Sequence, residues 1–132
     1  MSEYIDTNQN LHPLIREIAG RAVVAVGLAS VGVIHLVDAI GKYHETRYLF
    51  WMYIALIVGC IVVAGAVLFT RIRVALLAAA GLALSAAVGY VLSRTTGLPQ
   101  ATGDIGNWTE PLGLASLFVE GGVAAVAIGA YV

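Results

Sequence analysis

Four apolar runs of about 20 residues each, with little polar chain between them, constrain this protein more than any other feature. They cover roughly 18–41, 48–70, 72–93 and 112–132 of a 132-residue chain. About 20 helical residues span a hydrocarbon core of ~30 Å. Membrane strands would need alternating polarity over about ten residues, and these runs do not alternate. Backbone groups in lipid must be satisfied within their own segment, so four transmembrane helices follow. Only 11% of the residues are charged and 60% are hydrophobic, against about 25% charged in an ordinary soluble domain. The solvent for most of the chain is therefore a lipid bilayer. The predicted fold class is all-α: a polytopic membrane protein with four helices in an antiparallel bundle.

The remaining segments set the topology. Residues 1–16 read as a polar N-terminal tail. Their Glu3 and Asp6 are unlike the basic start of a signal peptide, so the first run reads as a retained helix. The turn at 70–73, "TRIR", is too short for anything but a tight reversal. Residues 41–47 and the outer loop 94–111 connect the helices on the opposite side. Arg16, Arg21, Arg71 and Arg73 fall on the plain side, and Lys42, Arg47 and Arg94 on the elaborated side. Basic residues favour the cytoplasm, so both termini are expected there, in a multi-pass protein of the cell membrane. Small residues recur every four positions at Gly81, Ser85 and Gly89, and again at Gly121, Ala125 and Gly129. Such stripes let helices approach closely in lipid. The last run reaches Val132, so the fourth helix could extend beyond the sequence given.

Ionisable residues inside the membrane are costly, roughly 2–3 kcal/mol each when unpaired at a helix centre. His35 lies ~9 Å before the end of the first helix, with Asp38 one turn further along the same face. Glu120 lies ~12 Å into the fourth helix. Antiparallel helices bring His35 and Glu120 to similar depth. Arg94 ends the third helix, with Tyr90 one turn below it, and Ser116 is one turn from Glu120. Glu120 should face the interior and pair with either Arg94 or His35. The expected polar cluster is thus His35, Asp38, Tyr90, Arg94, Ser116 and Glu120, either a ligand or proton site or a structural network.

A transition metal held by His35, His44 and Glu120 is a further alternative, since imidazole and carboxylate suit zinc, copper or iron. The ligand spacing is not a known motif. A bis-histidine haem is not expected, because His35 is the only histidine within a predicted span. Ser116 and His35 lack the elbow of a nucleophilic hydrolase, and no catalytic residue is assigned. The single Cys60 lies in an apolar run, and a net charge of −1 points away from nucleic acid.

The loop "SRTTGLPQATGDIGNWTEP" is longer than helix punctuation requires. Gly97 and Pro99 end the third helix, and Glu110 with Pro111 starts the fourth. The stretch containing Asp104, Asn107 and Trp108 remains, and loops of this length are often functional. Asn107 also opens a glycosylation sequon, read as coincidental beside a helix. The loop is expected to form a lid over His35 and Glu120, anchored by Trp108.

With these residues in view, the chain resembles a family of small, largely uncharacterised four-helix bacterial and archaeal membrane proteins. The resemblance rests on His35, on His44 and Glu45, on "SRTTGLP" (93–99), on "EPLG" (110–113) and on Glu120, and covers about 20–130. It implies that the outer cluster defines the family, and it implies no reaction. The favoured function is a ligand-, proton- or metal-binding module. That module is expected as a monomer or homo-oligomer; the alternative is a non-catalytic accessory subunit that docks on a membrane-protein partner in a larger complex, with the cluster purely structural.

Overall fold

Once an apolar segment leaves water, its own i to i+4 hydrogen bonds are the only partners its backbone has, and all four runs are helical. The computed structural model describes the backbone of residues 2–132 and the side chains of residues 11–132. It contains α1 (Ser2–Glu45), α2 (Arg47–Phe69), α3 (Val74–Arg94) and α4 (Pro111–Tyr131). All four are long and apolar enough to cross a membrane. No strand occurs among the described residues, only an isolated bridge between Leu98 and Ala101.

Three helices match their expected bounds to within two residues, and α1 does not. The polar segment 2–16 is the start of α1 rather than a separate tail. Polarity sets whether a segment lies in lipid, not whether it is helical, and no glycine interrupts 2–16. The expected connection at 41–47 also shrinks. α1 runs through Gly41 to Glu45, and Thr46 alone separates it from α2, with φ −145 and ψ 99. A glycine inside a helix costs only about 1 kcal/mol, too little to end one. The part of α1 from Leu11 to Glu45 has 35 residues, ~50 Å at 1.5 Å each, so it projects well past a ~30 Å core.

Around the bundle α1 packs on α2 and α4, and α3 packs on α4 and α2. α1 also touches α3 across one diagonal, while α2 and α4 stand apart. The shared core is built from Val24, Leu28, Val31, Cys60, Val67, Leu76, Val123 and a set of alanines. The small-residue stripes expected at the contacts are not covered by a neighbouring helix, and Ser85 and Gly89 border a cavity instead. Gly81, Ser85, Gly121, Ala125 and Gly129 are exposed, and a Cβ added at Gly81, Gly89, Gly121 or Gly129 would meet nothing within 4 Å. α3 carries two stripes of four-residue spacing, and the buried one is Ala75, Ala79 and Ala83. Spacing alone does not say which face is covered.

One close approach does need glycine. A Cβ at Gly27 of α1 would run into the Val123 Cγ2 methyl of α4. Valine has little rotamer freedom in a helix. Gly27→Ala is expected to cost about 1–3 kcal/mol by overpacking, read as a lower unfolding midpoint in mixed micelles. Gly81→Ala, facing outward, should change the midpoint little.

Candidate functional site

The site is organised by the end of α3. Arg94 is only 8% exposed. Its Nε donates to the Asn107 carbonyl at 2.8 Å, and one terminal nitrogen donates to Ser93 Oγ at 2.9 Å. That nitrogen stands 3.5 Å from Asp104, and the other 3.6 Å from Glu110. The guanidinium also lies 4.6 Å over the Tyr90 ring. The Arg94 carbonyl accepts from Gly106 N at 2.8 Å. One side chain therefore gathers both limbs of the connection between α3 and α4. Planar fork geometry lets arginine do this where lysine would not.

The connection is shaped by its glycines and by Glu110. Gly97 and Gly106 both adopt φ +79, a left-handed backbone that glycine takes without steric cost. The Glu110 carboxylate caps α4, accepting from Leu112 N at 3.1 Å and Gly113 N at 2.6 Å. Gly113 is compelled by its neighbours, since a Cβ there would meet Tyr90 Cε2 at 2.5 Å and Arg94 at 2.9 Å. Tyr90 donates its hydroxyl to the Trp108 carbonyl at 3.0 Å, with the two rings edge to face. The loop then reaches the ends of α1 and α2. Lys42 Nζ stands 3.5 Å from Asp104, and the Tyr48 hydroxyl donates to the Pro99 carbonyl.

Below the loop lies a cavity of about 590 Å³. His35, Asp38, Tyr90, Arg94, Ser116 and Glu120 all line it, as do Asp104 and Glu110. Asn107 contributes its carbonyl to Arg94, and Trp108 lies outside the lining, part-exposed with its ring against Tyr90. Glu120 is 1% exposed. Its Oε1 accepts from the Ser116 hydroxyl one turn away, and His35 Nε2 stands 3.9 Å from the same oxygen. Glu120 Oε2 has no hydrogen-bond partner. His35 Nδ1 is 2.9 Å from the Val31 carbonyl. A carbonyl only accepts, so Nδ1 carries a hydrogen, and in the neutral ring Nε2 is an acceptor. At 3.9 Å it makes no direct hydrogen bond with Glu120. The Tyr53 ring packs edge-on to His35 at 5.0 Å.

Two expectations change. Arg94 is not the partner of Glu120, because its donors are taken up by Asn107, Ser93, Asp104 and Glu110. His35, His44 and Glu120 do not form a metal set. Among the described residues no group of three His, Cys, Asp or Glu side chains could hold a metal ion. With α1 continuous to Glu45, nine residues at ~100° each turn His44 to the side opposite His35. His44 is exposed, its ring edge-on to Tyr43.

Two further ionisable side chains line the cavity, Lys42 and Tyr53. Lys42 had a signal, standing four residues after Asp38 and seven after His35 on one helix face. Tyr53 had none, because only the packing of α2 on α1 brings it to His35. No protein-family model, curated protein or solved structure matches the chain.

Proposed function

We propose that this is a membrane binding module whose loop-covered cavity takes a small ligand with an apolar body and a cationic or hydrogen-bond-donating head. The observation that carries this is Glu120 Oε2, buried in the cavity wall and unpartnered beside an equally uncommitted His35 Nε2. A buried acceptor without a partner costs free energy, about 1–3 kcal/mol, and a bound donor would remove that cost. The volume lies within the usual range of small-molecule sites, roughly 300–1,000 Å³. Ile34, Leu49, Met52 and Leu56 supply the apolar wall. The likeness to small four-helix membrane proteins that share this outer pattern is part of the same proposal.

Titration with n-octylamine, with n-octanoate as its charge-reversed control, tests it on the purified protein in mild detergent. Octylamine should raise the melting temperature and octanoate should not. His35→Ala should weaken the amine response. Equal responses to both compounds, or to neither, would leave the accessory-subunit reading, for which the exposed Ile105 and Trp108 of the loop are the natural contact.

The same proposal places the arginine-bearing side, with both termini, in the cytoplasm. Thr102 is exposed in the loop, whereas the native Cys60 is buried. Thr102→Cys is expected to react with an impermeant thiol reagent on intact cells. Labelling only after lysis would reverse the orientation.

A further inference from the structure

The opposite end of the bundle carries a second, open cavity of about 700 Å³, lined in part by His12, Arg16, Glu17, Arg21 and Arg73. Among the described residues, three arginines there face one carboxylate. Arg21 is 8% exposed. One of its terminal nitrogens donates to the Val67 and Thr70 carbonyls at 3.0 Å each, tying it to the end of α2. Its Nε has no hydrogen-bond partner and stands 3.5 Å from the half-exposed Glu17 carboxylate. Arg73 is held over the Tyr131 ring at 4.9 Å and donates to the Tyr131 carbonyl. Arg16 is exposed and free to swing. The result is a cationic pocket with fixed donors in its wall and one buried donor unsatisfied.

The surroundings point to lipid. Leu11, Leu14, Ile15 and Ile18 are all exposed, beside the cavity residues that α1 contributes. Apolar side chains exposed beside basic ones suit the boundary between headgroups and acyl chains. Gly129 lines the cavity and also ends the outward stripe of Gly121, Ala125 and Gly129. That stripe has no side chain larger than a methyl group, so it forms a shallow apolar track leading from the cavity along α4. Basic pockets between membrane helices hold anionic headgroups.

We propose that this cavity seats the phosphate of an anionic phospholipid, with an acyl chain running along the Gly121–Ala125–Gly129 track. The site does not depend on what the loop-covered cavity binds. Native mass spectrometry of the full chain, equilibrated with dioleoyl phosphatidylglycerol or dioleoyl phosphatidylcholine, tests it. The anionic phosphatidylglycerol should be retained about tenfold better than the zwitterionic phosphatidylcholine. Arg16→Gln combined with Arg73→Gln should weaken it about 30-fold, on the usual contribution of each basic residue near a membrane surface. Glu17→Gln removes the opposing carboxylate found among the described residues and should strengthen retention, a result that does not depend on the arginine variant folding. Inorganic phosphate at ~10 mM should not displace the lipid, since it has no chain for the track. Equal retention of the two lipids, indifference to both variants, or full displacement by phosphate would each overturn the assignment.

Discussion

Arg94→Met is expected to destabilise the protein by about 2–3 kcal/mol and to release the loop between α3 and α4. Methionine preserves much of the apolar stem but removes every donor. The Asn107 carbonyl, the Ser93 hydroxyl and two carboxylates then lose a shared partner. Removing one member of a fully buried ion pair costs about 3–5 kcal/mol. Asp104 and Glu110 are each about a third exposed on their side chains, so water recovers part of that loss. Unfolding in mixed micelles measures the cost. Chymotryptic cleavage after Trp108 measures loop release, because the Trp108 carbonyl is bonded to Tyr90 while the loop is closed. Arg94→Lys should recover only part of the stability, since an ammonium can meet one carboxylate but cannot bond Asn107 and both acids together. A Met variant as stable and protease-resistant as the parent would show that the loop is held elsewhere.

Glu120→Leu is expected to move stability and binding in opposite directions. Leucine removes a buried oxygen that has no partner, and with it a desolvation cost of about 1–3 kcal/mol. The Ser116 hydroxyl can turn to the carbonyl one turn back. The melting temperature should therefore hold or rise, while the stabilising response to octylamine disappears. Glu120→Gln keeps an acceptor for Ser116 but adds an amide donor facing the cavity, so it should fold normally and bind the amine weakly. A leucine variant that loses more than about 2 kcal/mol would mark Glu120 as a structural residue. The proposed ligand site would then be wrong.

The candidate site was legible in uneven parts. The nearness of His35 to Glu120 followed from depth, because antiparallel helices of known rise bring the two residues to one level. The capping role of Glu110 followed from its place just before Pro111. The partners of Arg94 could not be read, since they depend on left-handed turns at Gly97 and Gly106 folding Asp104 and Asn107 back onto the helix end. The metal set failed for a related reason. It required 41–47 to be a loop, and a single glycine at 41 was too weak to end α1 against continuing hydrogen bonds.

The sequence by itself determined that the chain is four membrane-length helices, because hydrocarbon leaves a backbone no partners but its own. It also placed most of the charged residues toward the two ends, because burying them unpaired in the middle is costly, and it marked Glu120 as the exception. The tertiary structure alone decided which faces meet. α3 offers an alanine stripe and a glycine stripe at the same spacing, and lipid is as apolar as either. Only the fit of Ala75, Ala79 and Ala83 into the bundle, with Gly27 closing on Val123, selected the buried face. That choice turned Glu120 toward His35 and left Gly121, Ala125 and Gly129 facing the membrane.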